Sequence, residues 1–178
     1  MKKVLCLLII ISSITSTISA QNWKPVTASV SFKIKQFGIT VKGTFKGFIG
    51  VIKFDPNDLP NSSLIASVDA NTLDTDNGLR NSHLKEKKEY FNVEKYPILK
   101  MNTTKITKED DNFVGYFDLT IKGKTKNIKI PILFSPEGQT ATFQGSTIIN
   151  RRDWSIGGKS LGMSNDVVFT IVVNTIKI

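Results

Sequence analysis

The feature that most limits what this chain can fold into is residue-by-residue alternation of apolar and polar side chains. Ala28, Val30, Phe32 and Ile34 alternate with Ser29, Ser31, Lys33 and Lys35. The next run sets Ile39, Val41, Gly43, Phe45, Gly47 and Ile49 against Thr40, Lys42, Thr44 and Lys46. Successive side chains of a strand point to opposite faces, so a period of two writes one apolar and one polar face, which a helix cannot satisfy. The pattern recurs over 64–71, more weakly over 98–106, and again over 113–121, 128–134, 141–149 and 167–173. Eight strands are predicted.

Turn-forming stretches separate several of them: DPNDLPNSS at 55–63, KGKTKN at 122–127 and SPEGQ at 135–139. Connections this short join neighbours as antiparallel hairpins. An eight-stranded meander with one apolar face does best by closing on itself, which removes both edges. No repeat, low-complexity tract or linker divides residues 21–178, which read as one all-β domain, an eight-stranded antiparallel barrel. An outer-membrane barrel also alternates, with its apolar face turned to lipid. The lack of aromatic girdles and the many strand lysines favour the apolar face turned inward.

Residues 1–20, MKKVLCLLIIISSITSTISA, place Lys2 and Lys3 before an apolar core over 4–11 and a run ending in small residues. That is the pattern of a secretory signal peptide, too short and too quickly polar for a membrane-spanning helix. Cleavage is expected after Ala20, with Ser19 as the alternative, and the exported chain is expected in the periplasm or outside the cell. Cys6, the sole cysteine, would leave with it, which excludes a disulfide framework and a thiol nucleophile. Without Lys2 and Lys3, Lys+Arg falls from 24 to 22 against 15 acids, a net charge of +7. Such a surplus favours anionic ligands or surfaces, although lysines at alternate strand positions read first as a solvated face that resists edge pairing. Nucleic acid is not an expected partner, since no basic–aromatic motif is present.

An eight-stranded barrel is just wide enough to be filled by side chains or to hold one small ligand. On the expected inner face, phenylalanines stand among Gly43, Gly47, Ala66, Gly115 and Gly145. So many residues without bulk would leave costly voids in a solid core, a cost that a bound apolar molecule removes. Glycines serving as bulges and bends for closure are the competing explanation. The residues expected to line a ligand-holding lumen are Phe32, Ile34, Val41, Phe45, Ile49, Ala66, Val68, Met101, Phe117, Leu119, Ile130, Ile132, Phe143, Phe169 and Ile171.

Residues 77–97, NGLRNSHLKEKKEYFNVEKYP, break the alternation. Asp76 or Asn77 can cap a helix over 76–90, in which Leu79, His83 and Leu84 share a face. His83 is the only histidine and stands near Arg80. A lone histidine on such a face is more often packed structure than chemistry, and a metal would need further imidazole or thiolate ligands. Asp74, Asp76 and Gly78 imitate a calcium loop, but the glycine comes one position early and the bidentate glutamate is missing. Asp118 stands where a phosphate loop ending in GKT at 123–125 needs its first glycine. With no GxSxG turn either, no catalytic constellation, metal or cofactor is expected.

Four segments follow one another along the chain: SVSFKIKQFGITVKGTFKGFIGVIKFDP, SVDANTLDTDNGLRNSHLKEKKEYFNVEKYP, GYFDLTIKGKTKNIKIPILF and NRRDWSIG. In that order they resemble the YceI family of polyisoprenoid-binding periplasmic proteins, over nearly the whole chain beyond residue 20. The resemblance implies a lipocalin-like antiparallel barrel with a helix beside its mouth. It also implies a long hydrophobic lumen for an isoprenoid chain, such as a polyprenyl phosphate or a quinone tail. Two residues depart from the family pattern. Asn81 stands where an acidic residue usually follows the helix arginine, which bears on how Arg80 is held, and Ser155 stands where glycine usually follows the aromatic residue.

The function expected is non-catalytic binding or carrying of an isoprenoid or similar amphiphile. Burial of methylenes at ~0.8 kcal/mol each gives tight binding with little head-group discrimination. The helix is expected to cap the mouth, with Arg80 and His83 fixing it by hydrogen bonds or facing a phosphate or quinone head group. Transient membrane contact and a homodimer are further expectations. The competing function is a periplasmic stress or structural protein that binds a partner through its surface, with any lumen lipid incidental.

Overall fold

Strands form where apolar and polar residues alternate, and they run on past those cores. The computed structural model describes residues 21–178; the expected signal peptide, 1–20, lies outside the described residues. The strands are β1 (Asn22–Gln36), β2 (Ile39–Lys53), β3 (Ser63–Asp74), β4 (Ile98–Glu109), β5 (Asn112–Ile121), β6 (Lys124–Glu137), β7 (Thr140–Asn150) and β8 (Met163–Lys177). Each pairs antiparallel with the next, and β8 pairs with β1, so the meander closes into an eight-stranded barrel. Four hairpins close in two residues, and in two of them, Phe37–Gly38 and Lys122–Gly123, both turn residues have positive φ. That turn geometry matches the right-handed twist of the strands it joins.

Of the irregularities in the wall, the widest interrupts the pairing of β1 with β2. β1 and β2 are in register at Trp23↔Ile52 and at Val30↔Phe45, but no ladder pairs join them between these points. Each strand carries an irregularity there, β1 between Pro25 and Thr27 against β8, and β2 between Lys46 and Ile49 against β3. Gly47, at φ +68°, occupies the bulge in β2, a conformation that glycine adopts without penalty. One extra residue flips every side chain beyond it to the other face. Phe48 therefore turns inward. Ile49, expected in the lumen, lies on the outer surface with 73% exposure, and Val51 follows it outward.

One end of the barrel is solid. Phe54 is fully buried at the end of β2, its ring centroid 5.2 Å from Phe113, 4.9 Å from Phe134 and 5.5 Å from Phe143. Trp23 joins the cluster against Phe134 and donates its indole N–H to the Phe54 carbonyl at 3.0 Å. Below it the 55–62 loop closes on itself, with the Asp55 N–H donating to Ser62 Oγ at 3.0 Å and Ser62 Oγ–H donating to the Asp58 carbonyl at 2.8 Å.

The inner-face glycines do not leave the voids expected of them. A Cβ at Gly43 would collide with the ring of Phe32, one at Gly115 with Phe117, and one at Gly50 with Phe48. Neighbouring rings occupy the space over the bare backbone.

Between β3 and β4 the chain forms α1 (Gly78–Glu86), shorter than the 76–90 expected, because Lys87 is already extended. Asn77 caps it by accepting the Arg80 N–H at 2.9 Å.

Candidate functional site

At the end opposite the aromatic plug the barrel is hollow. The cavity measures about 360 Å³, at the lower end of the ~300–1,000 Å³ typical of ligand sites. Its walls include Phe32 and Ile34 of β1, Val41 and Phe45 of β2, Ala66 and Val68 of β3, Met101 of β4, Leu119 of β5, and Phe169 and Ile171 of β8. Phe117, Ile130, Ile132 and Phe143 lie deeper and border a second void of about 40 Å³. Phe48, Ala66, Met101 and Ile171 line both, so the deep void continues the cavity toward the plug. Ile49 alone among the expected lumen residues lies outside.

The cover comes from segments with no strand alternation. Leu79, Arg80, His83 and Leu84 of α1 border the mouth, followed by Tyr90 and Phe91. Phe91 stands edge-on to Phe45 at 5.7 Å, and Phe45 lies 5.7 Å from Phe32, so aromatic contact runs from cover to wall. Asn81 holds α1 to the end of β3. Its Oδ1 accepts the Thr75 N–H at 2.9 Å and the Thr75 hydroxyl at 2.7 Å, and its Nδ2 donates to Asp74 Oδ1 at 2.8 Å. The Asn81 amide, with the Asp76 N–H, holds the Asp74 carboxyl below its ordinary pKa. An acidic residue at 81 would set a second carboxylate against Asp74; asparagine supplies a donor instead.

This anchoring corrects the role expected of Arg80 and His83. Among the described residues neither side chain makes a hydrogen bond, and the fixing of α1 falls to Asn77 and Asn81. Half-buried Arg80 and exposed His83 are left at the mouth, with the guanidinium unpartnered among the described residues.

Across the mouth, Arg151–Trp154 form a single 3-10 turn between β7 and β8. Trp154 is fully buried and donates its indole N–H to the Leu119 carbonyl at 3.1 Å. Arg151 is buried without a carboxylate partner. Its Nε donates to the Ser164 carbonyl at 2.8 Å, and its Nη1 to the carbonyls of Ile156 at 2.6 Å and Gly158 at 3.1 Å. Burial draws its pKa below the ordinary arginine value, Arg152 adds to that shift, and Tyr90 opposes it. Carbonyl dipoles thus take the place of a counter-ion and pin the 156–164 connection over the cavity. Ser155 sits at φ 55° and ψ 40°, in the left-handed region.

Sequence reasoning missed Phe48, Tyr90, Phe91, Arg151 and Trp154 as lining residues. NRRDWSIG contained the last two and carried the resemblance, yet its periodicity assigned them no face. Among the described residues no group of three or more His, Cys, Asp or Glu side chains could hold a metal ion. What the site offers chemically is apolar burial at depth and positive charge at the entrance.

A closed antiparallel barrel, solid at one end and hollow at the other, is the architecture of the small ligand-binding barrels. Within that class the chain belongs to the YceI-like family, whose domain matches residues 22–175. A UPF0312 protein of Photorhabdus laumondii is 33% identical over 135 residues, 72% of this chain and 70% of that protein. Among solved structures, Burkholderia cenocepacia BcnA matches with a TM-score of 0.77 at 24% identity, over 83% of this chain and 95% of that one. A polyisoprenoid binding domain from Saccharophagus degradans matches with a TM-score of 0.66 at 12% identity, over 90% and 99%. At such identities the likeness is one of fold.

Proposed function

We propose that the protein is a non-catalytic carrier of an isoprenoid lipid or similar amphiphile, acting in the periplasm after export. The observation that carries this reading is the one-ended cavity of about 360 Å³, apolar in its depth and open beside an unpartnered arginine. Membership of the YceI-like family and the polyisoprenoid-binding description of the Saccharophagus domain support it, and the leader-like residues 1–20 support export. The tail enters first, each methylene withdrawn from water contributing ~0.8 kcal/mol. The volume suits a short isoprenoid or the terminal units of a long one. The head group stays at the mouth, where Arg80 presents a fork of donors to a phosphate or a quinone carbonyl and His83 adds charge when protonated.

The test is native mass spectrometry of protein purified from the exported fraction, followed by identification of any bound lipid. The wild-type protein is expected to carry a stoichiometric isoprenoid or to take up an added short-chain quinone or polyprenyl phosphate. Ala66 lies where the two voids join, so Ala66→Phe should abolish uptake while costing about 1–3 kcal/mol of stability through overpacking. A wild-type protein that is empty and refuses both ligands overturns the carrier reading.

A further inference from the structure

The rim of the open end is apolar, exposed and basic at once. Phe37 (73% exposed) stands in the β1–β2 turn and Ile39 (71%) just beyond it, Leu79 (71%) projects from the first turn of α1, and Leu161 (89%) from the β7–β8 connection. The first and last of these segments meet. The Phe37 N–H donates to the Gly162 carbonyl at 2.6 Å, and the Phe37 ring lies against Gly162. Gln36, Leu79 and Met163, in or beside the same segments, border the mouth itself.

Local structure does not account for Phe37. It is the first residue of a two-residue turn, at φ 48°, where asparagine, aspartate or glycine is at ease and a bulky side chain is not. The chain accepts a backbone cost here and leaves most of the ring in water.

The segments that carry Phe37, Ile39 and Leu161 hold charge of one sign, whereas the segment of Leu79 adds Asp74 and Asp76 beside Arg80. Segments 33–42 and 157–163 carry four lysines, Lys33, Lys35, Lys42 and Lys159, and no acid. Lys33 and Lys42 stand directly opposite each other in the β1–β2 ladder, a repulsive arrangement in isolation. Among the described residues the one ion pair, Lys129 to Glu109 at 2.8 Å, lies away from this rim, spanning β5 from β4 to β6 toward the plug.

We propose that this rim docks onto an anionic membrane surface, with the apolar tips entering the interfacial layer and the lysines meeting acidic head groups. Apolar side chains flanked by basic ones are the combination that holds proteins at such interfaces. Docked this way, the barrel sets the cavity mouth directly against the bilayer. The inference deepens the carrier reading, which supplies a reason for docking, but docking is measured without any lumen ligand.

The experiment is flotation of the exported protein with phosphatidylcholine vesicles and with vesicles half phosphatidylglycerol. Binding to the anionic vesicles is expected, weakening as salt is raised. Lys33→Ser and Lys42→Ser should each lower it about fivefold. Leu161→Ser and Phe37→Asn should each lower it about tenfold, the asparagine keeping the turn intact. Leu133→Ser, an apolar side chain 61% exposed on the outer wall of β6 near the plug, should leave it unchanged. Equal binding to both vesicle types, no binding to either, or an equal loss with Leu133→Ser overturns the proposal. Ala66→Phe should keep vesicle binding while losing lipid uptake, so docking and the carrier reading can fail separately.

Discussion

The closed and open ends of the barrel share strands, alternation and wall, yet they are stabilised by different means. At the closed end, aromatic rings cross the axis, with Phe54 packed against Phe113, Phe134 and Phe143 within centroid distances of 5.5 Å. At the open end, Phe32 lies along the wall over Gly43, and the axis stays free. A hollow half cannot draw its stability from a filled core, so its cover is held by polar groups. Asn81 ties α1 to β3, Trp154 bonds the β5 carbonyl of Leu119, and Arg151 clamps four carbonyls of the β7–β8 connection and the start of β8. Packing secures the closed end and hydrogen bonds secure the cover of the open one, a division that leaves the open end the more readily opened.

Truncation at the two ends is the sharpest way to break this comparison. Phe54→Ala should cost about 3–5 kcal/mol, since a fully enclosed ring is removed from a plug that cannot collapse. Phe32→Ala, which widens a cavity already present and removes a ring only partly buried, should cost about 1–2 kcal/mol. Urea unfolding of both variants measures the difference. Equal costs would mean that the open half is packed as tightly as the plug.

Next in size is the polar clamp. Arg151→Met keeps apolar bulk but strips donors from the Ile156, Gly158 and Ser164 carbonyls, at about 2–3 kcal/mol. The loss should be local before it is global. Amide exchange over 156–164 should accelerate strongly while amides of the β6–β7 ladder near Phe143 stay protected. Uniform acceleration across the barrel would show that Arg151 supports the core rather than the cover.

The same contrast explains what was legible in the sequence. Strands and closure follow from alternation, because a period of two leaves few other folds, and the cavity walls came with them. The misreading of Ile49 has a physical origin. In GFIG at 47–50 both Phe48 and Ile49 are apolar, so hydropathy cannot say which turns inward, and the positive φ of Gly47 decides it. The glycine argument reached a hollow barrel through voids that rings of Phe32, Phe48 and Phe117 in fact occupy, since side-chain rotamers are not written in composition. The cover was the least legible part. Tyr90, Phe91, Arg151 and Trp154 sit in aperiodic segments, and a buried arginine satisfied by backbone carbonyls has no partner residue to betray it.

The smallest expected effect tests how far polar clamping at the open end extends. Ser155 sits in the left-handed region, where a side chain costs about 1 kcal/mol relative to glycine. Against that cost its hydroxyl accepts the Lys124 ammonium at 2.6 Å, an exposed bond of small net value. Ser155→Gly should therefore raise stability by about 0.5 kcal/mol, and Ser155→Ala, which keeps the strain and loses the bond, should lower it by a few tenths, about 0.3 kcal/mol. Thermal unfolding should rank glycine above serine and serine above alanine. If serine ranks first, the bond from the β5–β6 hairpin outweighs the backbone strain, and the cover is held by lysine as well as by Arg151. The closed end divides between its turns in the same way: the β6–β7 turn has glycine at its left-handed position, Gly138 at φ 58°, whereas the β4–β5 turn bears a side chain there, Asp110 at φ 52°.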